Sequence, residues 1–162
     1  MSKKYLLSFC LAVFLIITAC EQTTTRYLGA LADKKEAVAL IQGAVTNQAW
    51  KDLYISVDYS YKRDGNHLGM KGVLSFTHSS QANYERVRDL KLKLFFLDKN
   101  LQVVEYFDVG RILNGDIERQ LEFMETFNLP TDITAFTFGY DGILVDDEGF
   151  RSLTWKMPKR NH

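Results

Sequence analysis

From Leu53 onward apolar residues recur at every second position, and this alternation constrains the fold more than any other feature of the chain. Leu53, Ile55, Val57, Tyr59 and Tyr61 interleave with Tyr54, Ser56, Asp58 and Ser60. A strand sends successive side chains to opposite faces, so the pattern describes a half-buried β-strand. Lys62-Arg63-Asp64-Gly65-Asn66 then supplies turn chemistry, because Asp-Gly tolerates the left-handed backbone of tight hairpins. Leu68, Met70, Gly72, Leu74 and Phe76 give a second alternating run, and the two runs are expected to pair as an antiparallel hairpin.

The same grammar continues. His78 to Asp89 is polar and long enough to cross from one sheet to another. Leu90, Leu92, Leu94 and Phe96 are the inward set of the next strand, with Lys91 and Lys93 toward water. Phe95 and Leu97 make the far end of that strand apolar on both faces, which predicts that this end is covered. Asp98-Lys99-Asn100 turns, and the alternation then slips between Leu101 and Val109, the mark of a bulge. Asn114-Gly115-Asp116 turns again; Leu121, Phe123 and Phe127 face inward while Glu122 and Glu125 are solvated. Leu129-Pro130-Thr131-Asp132 breaks that strand. Phe136, Phe138 and Tyr140 alternate with Ala135, Thr137 and Gly139, Asp141-Gly142 turns, and a last strand runs from Phe150 to Trp155. About seven short strands with turn signals between them predict an all-β, immunoglobulin-like antiparallel β-sandwich over residues 50–158. Its two inner faces would interdigitate at about 10 Å separation.

Ahead of the sandwich the period changes. Asp33-Lys34-Lys35-Glu36 reads as a capping box, followed by Ala37, Val38, Leu40 and Ile41 and a possible stop at Gly43. A short helical segment over 33–49 is favoured; a strand over Val38–Thr46 is the competing reading. Residues 20–32 read as a tether with a polar Thr23-Thr24-Thr25, and 159–162 as a basic tail.

The first nineteen residues follow different rules. Lys3 and Lys4 precede an almost wholly apolar run from Leu6 to Ile17, which Ser8 and Cys10 interrupt only mildly. A dozen or so apolar residues are too few for a permanent span, which needs about twenty, and suit the apolar region of a signal peptide. Ile17-Thr18-Ala19-Cys20 resembles the lipobox of bacterial lipoproteins, with Thr18 the one liberal position. The resemblance implies cleavage between Ala19 and Cys20, removal of residues 1–19, and a diacylated or triacylated Cys20 that anchors the chain in a membrane. Stable anchoring takes more than one acyl chain. Glu21, rather than Asp, follows Cys20. In a diderm organism this implies an outer-membrane location facing the periplasm. An ordinary secretory signal or an uncleaved anchor helix are the alternatives.

Leu94-Phe95-Phe96-Leu97-Asp98, Lys99-Asn100 and Leu101-Gln102-Val103-Val104 together resemble the FxLYD-type immunoglobulin-like domains of bacterial envelope proteins. Asp98 matches that motif by identity and the other positions by character, with Asn100 where a turn Gly is usual. The resemblance implies a sandwich and carries over no functional residue.

Chemistry is thinly represented. Without residues 1–19 the only cysteine is Cys20, so a disulfide framework is excluded. The 20 basic and 20 acidic residues balance, which gives no charge argument for nucleic acid. His67, His78 and His162 are spaced like no local metal-ligand set and read as solvated loop residues. No nucleophile elbow and no glycine-rich phosphate loop occurs. Asp146-Asp147-Glu148-Gly149, with Asp141 nearby, is the best candidate for a weak calcium site, against a hairpin tip of solvated acids. Tyr54, Tyr59, Tyr61, Tyr106, Tyr140 and Trp155 either form a partly exposed partner surface or pack the core and its rim. No catalytic, metal or cofactor-binding residue is assigned. The expected function is a non-catalytic interaction or assembly module that meets an envelope protein at the membrane. The alternative is a carrier of lipid or small apolar ligands with a cavity between the sheets. A hydrolase with residues gathered from loops is the least supported.

Overall fold

Residues 26–160 are described by the computed structural model, and paired strands make up most of them. In chain order the elements are β1 (Val38–Ala39), β2 (Val45–Lys51), β3 (Ile55–Asp64), β4 (His67–Phe76), α1 (His78–Asn83), β5 (Arg86–Leu97), β6 (Val103–Asp116), β7 (Leu121–Asn128), β8 (Ala135–Val145) and β9 (Arg151–Lys156). The expected hairpin forms as β3 and β4, in register from Ile55↔Phe76 to Asp64↔His67. Gly65 takes φ +59° at the first position of its two-residue loop, where only glycine sits without strain.

One sheet runs β2-β3-β4-β7, and the other runs β6-β5-β8 with β1 and β9 sharing the remaining edge of β8. β1 pairs with Ala135 and Phe136, while β9 pairs with Tyr140 to Val145. β4 neighbours β7 in one sheet, and their chain successors β5 and β8 are neighbours in the other once the β5–β6 hairpin is closed. That interlocked arrangement, β3-β4-β7 facing β6-β5-β8-β9, has the connectivity of the inner strands of an immunoglobulin sandwich, with β2 added outside β3. The polar segment 78–89 does carry the chain between sheets. α1 forms within it, capped by Thr77 Oγ1, which accepts from Ser80 N and donates to Leu53 O at 2.8 Å.

The core lies between the sheets. Ile55, Val57, Tyr59 and Tyr61 of β3 and Leu68, Met70 and Leu74 of β4 face Leu90, Leu92, Leu94 and Phe96 of β5 and Phe136, Phe138 and Tyr140 of β8. Aromatic edges meet aromatic faces across it, with Tyr59–Phe138 centroids at 5.1 Å and Tyr61–Phe136 at 5.5 Å. A second cluster explains the doubly apolar end of β5. Phe95 and Leu97, on its other face, are buried with Ala30, Val103, Ala135 and Met157. The expected bulge is present: the β5–β6 register shifts at Leu92/Lys93 and again at Phe96/Leu97.

Three expectations are corrected. No helix spans 33–49. Asp33 does cap, accepting from Lys35 N through Oδ1, but only for one turn, in which Glu36 N and Ala37 N donate to Asp33 O. Glu36 pairs with Lys156 instead of closing a capping box. Val38–Ala39 then takes the open edge of β8 and Val45–Lys51 the edge of β3. A helix this short is marginal, and backbone pairing with an existing strand outweighs its propensity. The tether is docked from Arg26 onward: Tyr27 meets Phe95 edge-on at 5.3 Å, and Ala30 is fully buried. Lys159, placed in the tail, exchanges two backbone hydrogen bonds with Leu31, so both ends of the described chain meet. The seven expected strands all form, as β3 to β9, and β1 and β2 from the segment ahead of them bring the total to nine among the described residues.

Candidate docking surface

The outward face of the β8–β9 hairpin departs from the usual pattern of a half-wetted sheet. β8 fixes the phase: Tyr140 and Leu144 are buried, so their partners Lys156 and Ser152, with Thr154 between them, face the core side. Arg151, Leu153 and Trp155 are therefore directed to the outer face. Leu153 is 82% exposed and Trp155 55%. Cross-strand neighbours extend this surface, Trp155 beside Asp141 and Leu153 beside Ile143. Asp141, Ile143, Leu153 and Trp155 line a shallow groove of about 490 Å³ with Asp89. Asp89 is held by Arg111 through two bonds of 2.8 and 2.9 Å, which keep its carboxyl below the usual range. Beyond the turn, Phe150 adds a further exposed ring.

β9 is also a sheet edge. Its one strand partner among the described residues is β8. Asp146 N donates to Phe150 O across the turn, which makes 146–150 a hydrogen-bonded pair. Such pairs alternate along an antiparallel ladder, so Arg151, Leu153 and Trp155 direct their N–H and C=O groups away from β8. Exposed apolar side chains and an open backbone edge thus coincide at Leu153 and Trp155, with Arg151 beside them. Among the described side chains, three buried polar atoms lack a hydrogen-bond partner, and two of them, Asp141 Oδ1 and Thr154 Oγ1, belong to this hairpin.

The other sequence candidates disperse. Cys20, Ala19 and His162 lie outside the described residues. His67 and His78 are exposed, one at the start of β4 and the other in α1. Asp146 is committed to its own turn, where Oδ1 accepts from Phe150 N at 2.8 Å, and Asp147 and Glu148 are exposed around it. Among the described residues no three His, Cys, Asp or Glu side chains come together as a metal site.

Of the two readings of the aromatic set, core packing holds at three positions. Tyr59, Tyr61 and Tyr140 are buried, and each hydroxyl ties down a segment near the N-terminal strands. Tyr59 donates to Gln48 Oε1, Tyr61 to Ala39 O and Tyr140 to Asp52 Oδ2. Tyr54 and Tyr106 are half-buried, leaving Trp155 as the exposed member of that set.

Leu153 and Ile143 escaped the sequence reading. Period-two alternation separates two sets of residues but does not say which set faces inward. Beside Leu153 and Trp155 the sequence offers only Ser152 and Thr154, so hydrophobicity alone points the strand the wrong way. Comparison with known proteins adds no relative: no family model and no curated protein matches the chain.

Proposed function

We propose that this chain is a membrane-anchored envelope lipoprotein whose folded domain is a non-catalytic interaction module. The observation that supports the reading is the exposure of Leu153 and Trp155 on the outer face of β9, a strand with an open backbone edge. Exposed apolar strands at sheet edges are templates for pairing with another chain. The lipobox-like Ile17-Thr18-Ala19-Cys20 supplies the anchor a few residues ahead of Arg26, where the described domain begins. A lipid on Cys20 would hold the sandwich against the membrane, on the periplasmic face of an outer membrane in a diderm cell. There it docks an envelope protein.

The carrier reading is not favoured. A pocket for a small apolar ligand measures about 300 Å³ or more, and rings fill the centre of the inter-sheet space, with Phe136–Phe138 centroids at 5.8 Å and Phe123–Phe138 at 6.1 Å. A hollow of about 880 Å³ is lined mainly by outward residues of the other sheet, among them Asn47, Asp58, Ser60, Lys71 and Glu122.

The test is site-specific crosslinking in membranes of cells making the full chain. A photoreactive residue at Leu153 should give one adduct of defined mass, and the same probe at exposed Met124, on the other sheet, should not. Indistinguishable ladders from the two positions would remove the interaction surface from β9.

A further inference from the structure

We infer that the occupant of the β9 edge is the β9 strand of a second copy of this chain, paired antiparallel about a two-fold axis through Leu153. The inference rests on the reading of β9 as a docking surface and names its partner. The backbone phase limits the possible registers. Arg151, Leu153 and Trp155 carry the outward N–H and C=O groups, so each must face one of the same three residues in a symmetric pair. The free edge also ends at Trp155. Lys156 is tied to Glu36 of the preceding segment, and Met157 turns into the second core cluster. A register centred on Leu153 uses the whole available edge and runs no further.

That register is complementary in chemistry. Leu153 meets its counterpart, covering the most exposed apolar side chain of the strand. Arg151 faces the second copy's Trp155, twice by symmetry, a cation against an indole face. Asp141 lies next in the same row, opposite Trp155 on its own β8. Two strand spacings of about 4.8 Å separate its backbone from the second copy's Arg151, a gap that an arginine and an aspartate side chain span together. Asp141 Oδ1 is buried without a hydrogen-bond partner in the single chain, and Arg151 is exposed with no ion pair among the described residues. Pairing joins the β6-β5-β8-β9 sheets of two copies edge to edge and closes both open edges at once, as an isologous interface requires.

Cysteine crosslinking in membranes of cells making the full chain tests it. Directly opposed residues in a hydrogen-bonded pair have Cα atoms about 5.5 Å apart, within disulfide range. Leu153→Cys should therefore give a disulfide dimer of twice the chain mass under mild oxidation. The expected yield is several-fold above both the parent chain and Met124→Cys. Trp155→Cys should not link to itself, because this register places the two copies of residue 155 four positions out of alignment. Equal yields at 153 and 155 overturn the register. No excess dimer at 153, with a photoadduct to a different protein there, overturns the second copy and leaves the docking surface standing. Neither dimer nor adduct overturns both.

Discussion

The Tyr140 hydroxyl donates to Asp52 Oδ2 at 2.6 Å, while Asp52 Oδ1 accepts from Tyr54 N and Ile55 N at 2.9 and 3.1 Å. One carboxylate thus starts β3 and locks it to β8 in the opposite sheet. Tyr140→Phe removes a hydrogen bond to a charged group without changing the ring, and should cost about 1.5–3 kcal/mol in urea unfolding. The buried tyrosines also set an alkaline limit. Burial, with Tyr61 nearby, pushes Tyr59 up to about 12, and burial with the Asp52 bond pushes Tyr140 upward too. Both groups are neutral below the ordinary value of 10.0, so their contribution is fully present there. It is lost as pH rises toward the folded values, because the unfolded chain releases those protons first. The urea midpoint should fall steadily above pH 10, and the Tyr59→Phe/Tyr140→Phe double variant should show a flatter decline. An equal slope in the variant assigns the alkaline limit to other groups. Arg63 is a residue that the sequence hid: read as turn chemistry, it is buried, donating from Nη1 to Ile133 O at 2.9 Å and from Nε to Gly65 O at 3.0 Å.

At the scale of elements, β4 offers a comparison inside one strand. A Cβ on Gly72 would meet Phe123 at 2.6 Å and the Asp58 carbonyl oxygen at 2.9 Å, whereas Gly69 faces open space. Gly72→Ala should destabilise by about 1–3 kcal/mol, the range for overpacking a filled core. Gly69→Ala should be neutral or slightly stabilising, since glycine weakens a strand interior. Thermal melts of the pair decide it, and equal shifts would place Phe123 elsewhere. The alternation already puts Gly72 with the apolar run and Gly69 on the opposite face, and the strands themselves were legible. β3 and β4 follow the alternation closely, and β5 and β7 follow it over part of their length, because each has one buried and one wetted face there. Legibility failed where a partner decides the outcome. Residues 33–49 have a helix cap and a mixed pattern, and only the vacant edges of β8 and β3 make them strands. β9 failed similarly, because its inward side is Ser152 and Thr154 and its phase is dictated by β8. Trp155→Ser should therefore leave the melting temperature nearly unchanged, as surface substitutions do, while abolishing the Leu153 crosslink.

At the scale of the whole molecule, the placement of the ends bears on the proposed lipid anchor. Leu31 bridges both Gln102 and Lys159, so the start and finish of the described chain lie together beside the β5–β6 turn. β9 runs toward that end from the acidic tip at Asp146-Asp147-Glu148. In the antiparallel pair the two copies' chain ends therefore lie at opposite ends of the shared edge, and both would reach one membrane with that edge lying along its surface. A tether only a few residues long between a lipidated Cys20 and Arg26 would keep the chain ends of each copy near the membrane and restrict copies to one plane, where even weak edge pairing is favoured by the raised effective concentration. On the proposed reading the lipid and the docking edge act together: loss of the first weakens the second without touching its residues. Cys20→Ser should shift the folded chain from the membrane to the soluble fraction. The Leu153→Cys dimer should decline with it at matched expression and reappear when the released chain is concentrated. Retention of Cys20→Ser in the membrane through an intact N-terminal segment would overturn the lipid anchor. Undiminished dimer from released chain would show that the edge is strong enough to pair without it.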